Sequence, residues 1–178
     1  PTSKVGTKSP STPLGSLDKP VSATLYALGC GARFVARGID AQAKHLPEVF
    51  KRAYEHKGAS FVEVFQNCII YNDGVYDHFT AKNVAADKQV QIKHGQPLIY
   101  GSDMNKGLRL KPGELELEVV TINENGVTEA DILVHDEKNK TLATLLAQME
   151  APNFPVAIGV LFCDPAETYE TAVNDQLE

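Results

Sequence analysis

The stretch from Arg33 to Phe65 constrains the fold of this chain more than any other. Arg33-Phe34-Val35-Ala36-Arg37 reads as a short strand, and Asp40 to Lys44 leads into a helix. In that helix Leu46, Val49, Phe50, Ala53 and Tyr54 fall at offsets 0, 3, 4, 7 and 8, one stripe of an α-helix. Lys57 and Gly58 end it, with glycine suited to the left-handed cap position. Ala59-Ser60-Phe61-Val62-Glu63-Val64-Phe65 follows at once, β-branched and aromatic residues that suit a pleated, half-buried surface. Strand, helix and strand with short joins form a βαβ unit, so the two strands should lie parallel, with helices on the faces of their sheet. The fold class is therefore α/β with a largely parallel sheet.

On the amino-terminal side, Pro20 is placed to open a helix over Val21 to Leu28, because its missing N–H is unpaired in a first turn anyway. Gly29-Cys30-Gly31 stops that helix. Residues 66–79 form a loop that leaves the carboxyl end of the second strand, the edge where open α/β sheets bind ligands. After Asp87 the character changes to short strand-like pieces split by Gly and Pro: Gln89 to His94, Pro97 to Tyr100, Gly107 to Leu110 and Leu115 to Thr121. Asn125-Gly126 marks a turn, and Thr128 with Asp131 three residues on resembles a capped helix entry. Leu142, Leu145, Leu146 and Met149 mark a second amphipathic helix. Pro155 to Phe162 is another apolar strand, and Glu167 to Gln176 a terminal helix. The expected layout is a loop over 1–19, an α/β half-domain over 20–88, and a small β-rich extension with two helices over 89–178.

Composition narrows the function classes. At 178 residues the chain is the size of one domain and buries enough surface to need no disulfides. Its net charge of −6 argues against non-specific nucleic-acid binding, which needs basic surface to displace counterions. No apolar run is long enough for a membrane span. The 3 cysteines, Cys30, Cys68 and Cys163, are odd in number and far apart, which fits a reducing compartment, the cytoplasm. The Ser-, Thr-, Pro- and Lys-rich opening lacks the apolar core of a signal peptide.

Motifs for self-contained chemistry are absent: no GxGxxG, no GxxxxGKS/T, no HExxH, no GxSxG and no CxxC. Cys68 stands out. It follows polar Gln66 and Asn67 just past a strand end, where ligand-holding loops collect. Two readings compete, a thiolate ligand or nucleophile and a buried small hydrophobe, as most free cysteines are. Cys68 with Asn72 and His78 has the composition of a thiol-protease triad, but the three lie too close in sequence for that assembly. The other histidines, His45, His56, His94 and His135, are scattered, and His56 near Gly58 reads as a helix-end residue answering the dipole. Glu114, Glu116 and Glu118 alternate with Leu115, Leu117 and Val119, a strand with one wet face.

Taken together, several segments look familiar. They include Pro1 to Thr7 and Gly15-Ser16-Leu17-Asp18, then Leu28 to Arg37, and then Lys57 to Cys68 followed by Tyr71-Asn72-Asp73-Gly74. His94 to Gly101, Lys106 to Leu110 and Asp131 to Asp136 complete the set. In this order they resemble the beta subunit of 2-oxoacid:ferredoxin oxidoreductases, most closely the 2-oxoglutarate type.

The resemblance implies a thiamine-diphosphate-binding α/β domain. In that family the subunit works with an alpha subunit to decarboxylate a 2-oxoacid. The acyl unit joins coenzyme A, and two electrons pass through a 4Fe–4S cluster to ferredoxin. The family's Gly-Asp-Gly-Asp segment, which with a downstream Asn holds Mg and the diphosphate, is expected before Pro1, as are a Cys-Pro-x-Cys pair and a third cluster cysteine. The chain then corresponds to the C-terminal half of the subunit. The family's remaining cluster ligand maps to Cys68, and Pro1, Thr2 and Ser3 would continue the loop beside the thiamine cofactor. One thiolate cannot hold a cluster that needs four, so the chain alone is expected to be inactive and to bind no cofactor. No catalytic residue is assigned to it. A sheet cut in mid-domain exposes an edge strand, so self-association is expected. The alternative is a non-enzymatic α/β binding or assembly module, and a third reading is a thiol-dependent hydrolase using Cys68.

Overall fold

The computed structural model describes residues 3–177; Pro1, Thr2 and Glu178 lie outside them. The βαβ unit is present. Strand β1 (Phe34–Ile39) and strand β2 (Phe61–Phe65) pair in parallel, with Val35 opposite Phe61 and Ile39 opposite Phe65. Helix α2 (His45–Glu55) makes the crossover between them. It begins later than expected, because the residues after Asp40 form a turn. Helix α1 (Ala23–Gly29) precedes the unit. Its start is set by Ser22, whose hydroxyl accepts the Leu25 N–H at 3.3 Å, and Pro20 lies outside it. Gly31, at φ +86°, turns the chain into β1.

The rest of the main sheet comes from far along the chain. Strand β7 (Val156–Cys163) is buried over all 8 residues and runs antiparallel beside β1. Strand β3 (Gln89–Ile92) runs parallel to β7 on its other side, giving the order β2-β1-β7-β3. The sheet is thus mixed, with two parallel pairings and an antiparallel one at its centre. The layout expected from sequence divides the chain between 88 and 89; the main sheet draws strands from both sides of that point. Ala85–Lys88, helix α4, leads directly into β3, and Asp77–Thr80, helix α3, precedes it.

Alternation along β1 divides the core. Val35 joins a cluster with Ala27 and Leu28 of α1 and with Ala143 and Leu146 of helix α5 (Lys140–Gln148). Phe34 and Ala36 face the other way, in a cluster with Val49 of α2. This is the period-two pattern of a strand with helices on both faces. Gly38 continues the α2 side: a Cβ there would lie 2.5 Å from Leu46 Cδ1, so only glycine lets the helix approach this closely. The stripe read from sequence in α2 is covered only in part. Val49 is buried, while Phe50 and Tyr54 are exposed.

A second, antiparallel sheet is built from β4 (Ile99–Tyr100), β5 (Lys106–Leu110) and β6 (Leu117–Thr121). Leu98, Leu108, Leu117 and Ile132 anchor it to the same core as α5. The alternation of Glu114, Glu116 and Glu118 becomes strand only from Leu117, and Leu115 is exposed. Glu118 pairs across the strands with Arg109 at 2.7 Å, and Glu116 pairs with Lys111 at 2.6 Å just beyond the strand ends. The Thr128–Asp131 signal forms a capping box on a single 3₁₀ turn, Glu129–Asp131. Helix α6 (Tyr169–Asp175) closes the described chain, with Thr168 as its cap. Among the described residues no helix is long and apolar enough to cross a membrane.

Candidate functional site

Because β1 and β2 are parallel neighbours, their carboxyl ends open on the same edge of the sheet. Asp40 leaves β1 there and Asn67 leaves β2. The Asp40 carboxylate joins the two exits, accepting the N–H of Ala41 at 2.6 Å and that of Asn67 at 3.1 Å. Cys68 comes next and is exposed. A tight turn follows, closed by the Asn72 N–H donating to the Cys68 carbonyl at 2.9 Å and forming an isolated bridge. The backbone N–H groups of Tyr71, Ile70 and Asn72 hold the Cys68 thiol below its ordinary value, opposed in part by desolvation and by the charge of Asp73. Amide donors favour the thiolate, the form that ligates metals and attacks electrophiles.

Side chains brace this turn from below. Asn67 Nδ2 donates to Asp73 Oδ1 at 2.8 Å, and Asn67 Oδ1 accepts the Gly74 N–H at 2.9 Å. Gly74 sits at φ +71°, and a Cβ there would lie 2.9 Å from Asp77 Oδ2. The floor is aromatic: Phe65 packs edge-on to Tyr76 and Phe79, at centroid distances of 5.1 and 5.2 Å. Beneath it Arg37 spans the strands. Its Nε donates to Glu63 at 2.7 Å and its NH2 to Thr24 Oγ1 at 2.6 Å, and the guanidinium lies 5.8 Å from the Phe65 ring centre. Sequence reading singled out Cys68 and its loop. It missed Asp40 and Arg37, whose roles come from contacts across strands.

The remaining candidates lie apart. No hydrogen bond joins Cys68 to a histidine among the described residues, and the protease-like trio is not assembled. His78 instead stacks edge-on against Phe79 at 5.0 Å. A cysteine–histidine contact does exist elsewhere: Cys163 Sγ lies 3.9 Å from His56 Nδ1. Cys163 is buried, and burial pushes its thiol up, so it is no nucleophile. His56 is the C-cap residue of α2, as its place near Gly58 suggested; it packs on Phe34 at 5.3 Å, and burial holds its imidazole below the usual value. His135 is buried with Nε2 2.8 Å from the Val160 carbonyl.

Of the expected cofactor residues, Pro1 and Thr2 fall outside the described residues. Ser3 is exposed, and the recorded hydrogen bonds of residues 3–19 close within that segment. Two surface clefts, of about 480 and 600 Å³, lie beside α2 and β3, and neither is lined by Cys68. Among the described residues no group of three or more His, Cys, Asp or Glu side chains is placed to hold a metal. Cys68 therefore offers a single exposed sulfur, with no second metal-ligating group beside it among the described residues.

No family model matches the chain. Individual proteins do. The 2-oxoglutarate oxidoreductase subunit KorB of Mycobacterium tuberculosis is 34% identical over 180 residues, 99% of this chain and 47% of that protein. The 2-oxoacid:ferredoxin oxidoreductase subunit beta of Saccharolobus solfataricus is 40% identical over 73 residues, 41% of this chain and 24% of that protein. Among solved structures, the 2-oxoglutarate:ferredoxin oxidoreductase from Magnetococcus marinus, with 2-oxoglutarate, coenzyme A and succinyl-CoA bound, superposes with a TM-score of 0.62 at 21% identity. The superposition covers 99% of this chain and 46% of the Magnetococcus one, and it shows a shared fold. The chain is homologous to the beta subunits of 2-oxoacid:ferredoxin oxidoreductases. Within that class its full-length likeness is to the 2-oxoglutarate type, and it spans about half the length of that relative.

Proposed function

We propose that this chain serves as part of the beta subunit of a 2-oxoglutarate:ferredoxin oxidoreductase. The enzyme would decarboxylate the 2-oxoacid, transfer the acyl group to coenzyme A and send two electrons to ferredoxin. The observation that carries this reading is 34% identity to a 2-oxoglutarate oxidoreductase subunit along 99% of the chain. In this reading the chain is the C-terminal half of a thiamine-diphosphate-binding domain. The preceding half of the subunit holds the diphosphate and Mg, and residues 1–3 continue that loop. Bound thiamine diphosphate supplies the electron sink for the carbanion left by CO2 loss, and a 4Fe–4S cluster supplies the exit for electrons.

This chain's own part is to present Cys68 at the sheet edge as the fourth thiolate, beside three cysteines of the preceding half. The amides of residues 70–72 offset the sulfur's charge, and the Asp40–Asn67 contact fixes where the loop leaves the sheet. Alone, the chain has neither a complete cluster nor a catalytic residue, and the alpha subunit completes the active site. Its three scattered cysteines support a place in the reducing cytoplasm.

The test uses the holoenzyme that contains this chain and its alpha subunit. Coenzyme A-dependent reduction of ferredoxin is followed with 2-oxoglutarate and with pyruvate. Faster reduction with 2-oxoglutarate, accompanied by succinyl-CoA, is the expected result. An iron-replete complex that reduces ferredoxin with no 2-oxoacid would overturn the proposal and favour an assembly module.

A further inference from the structure

Helix α6 is 7 residues long, and a helix that short is marginal in water unless a partner covers one of its faces. Its own chain gives it little cover: among the described residues, none of α6 belongs to a core cluster. Yet the helix is amphipathic. Tyr169, Ala172 and Val173 fall at offsets 0, 3 and 4, and Leu177 lies one turn further on. Tyr169 is 84% exposed and Leu177 82%. The flanks of this stripe are acidic. Glu167, Glu170 and Asp175 are exposed, and no Lys or Arg follows Lys140.

Helix α2 has the opposite character on its uncovered face. Phe50 and Tyr54, one turn apart, are exposed. Lys44, Lys51, Arg52 and Lys57 outnumber Glu48 and Glu55 along the same stretch. Arg52 is engaged by Glu137, but Lys51 meets Glu55 only at 3.8 Å, and Lys57 is exposed. The two helices are neighbours in the fold. His56 at the end of α2 has Nδ1 3.9 Å from Cys163 Sγ at the end of β7. Helix α6 begins 6 residues after Cys163, at most about 20 Å of extended chain.

We propose that α2 and α6 form one self-complementary patch whose occupant is a second copy of this chain, related by a two-fold axis. In that pairing α6 of each copy lies on the Phe50 and Tyr54 face of the other, and its acidic flanks meet Lys51 and Lys57. A two-fold contact sets the same patch against itself, so both uncovered faces are buried at once and the assembly closes as a dimer. The patch shares no residue with the β2 edge or the Cys68 loop. Covering that edge with another chain leaves this contact in place, and the proposal does not rest on the oxidoreductase reading.

Cross-linking tests it. Tyr54→Cys is placed in one copy of the full chain and Tyr169→Cys in another, and the two are co-expressed, so any link between those positions joins two molecules. A short bismaleimide is added, and mass spectrometry separates the 54–169 link from links through Cys30 or Cys68. The link should form. Glu167→Lys with Glu170→Lys in the second copy should lower its yield several-fold, and Lys51→Glu with Lys57→Glu in the first should restore it. Should the charge-exchanged copies not fold, added salt, which screens the same pairs, should lower the yield of the original link. Absence of the link, or a yield insensitive to both charge exchange and salt, would overturn the proposal. In the holoenzyme the same link should persist. Position 169 linked there to a different subunit instead would also overturn it, because α6 would then belong to that subunit's groove. An intact link in a complex that fails to reduce ferredoxin would count against the oxidoreductase reading alone.

Discussion

Arg37 ties three elements together from one buried side chain. It is 7% exposed, yet it makes contact with β1's neighbour, with α1 and with α5 through Glu63, Thr24 and the Ala147 carbonyl. A buried charge persists only when its partners satisfy it. Arg37→Ala should therefore cost about 3 kcal/mol or more, because Glu63 is left half-buried and unpaired. Arg37→Met combined with Glu63→Leu should recover most of that loss. Urea denaturation measures both, and a loss below about 1 kcal/mol in the single variant would show that water takes the guanidinium's place. Nothing in the sequence marks Arg37 out, since each of its partners is distant along the chain. Cys68 was visible through its polar neighbours and its place after a strand. That it is exposed depends on the turn formed by Asn67, Asp73 and Gly74, and no local pattern encodes those contacts.

Strands and helices with strong local patterns were readable. β2 is a run of β-branched and aromatic residues, and α2 carries a helical stripe, so both were expected near their observed places. What a stripe cannot tell is which part of it is covered. Phe50 and Tyr54 belong to the α2 stripe but are exposed, because β1 and β7 reach only as far as Val49 and Ala53. The close fit of α2 on β1 is fixed by Gly38. Gly38→Val should overpack this contact and cost about 1–3 kcal/mol, measured as a lower urea midpoint. Adding Leu46→Ala, which removes the atom 2.5 Å from the new Cβ, should return part of the loss. If the second change deepens the loss instead, the strain lies elsewhere. The helix start at Ser22 and the strand start at Leu117 show the opposite failure: Pro20 and the glutamate alternation offered signals that capping and core contacts overrode.

At the level of the entire chain, the order β2-β1-β7-β3 was not readable, because β7 enters between β1 and β3 from more than 100 residues beyond β1 and more than 60 beyond β3. Only the local β1–α2–β2 crossover carried a sequence signature. The resulting sheet leaves β2 as an edge, paired on one side and half-buried along its length. Exposed Ile69, Ile70 and Tyr71 lie just beyond it. An unprotected edge beside apolar surface invites another strand. The isolated chain should therefore form dimers or larger species in light scattering, and adding its natural partner subunits should dissolve them. A monomer at high concentration would contradict this. The proposed cluster depends on one sulfur of this chain, and iron analysis of the purified holoenzyme tests it. With Cys68→Ser, iron and the EPR signal of the cluster served by this subunit should be lost or strongly reduced, while Cys30→Ser leaves both intact. Full iron and an unaltered signal in Cys68→Ser would contradict the assignment.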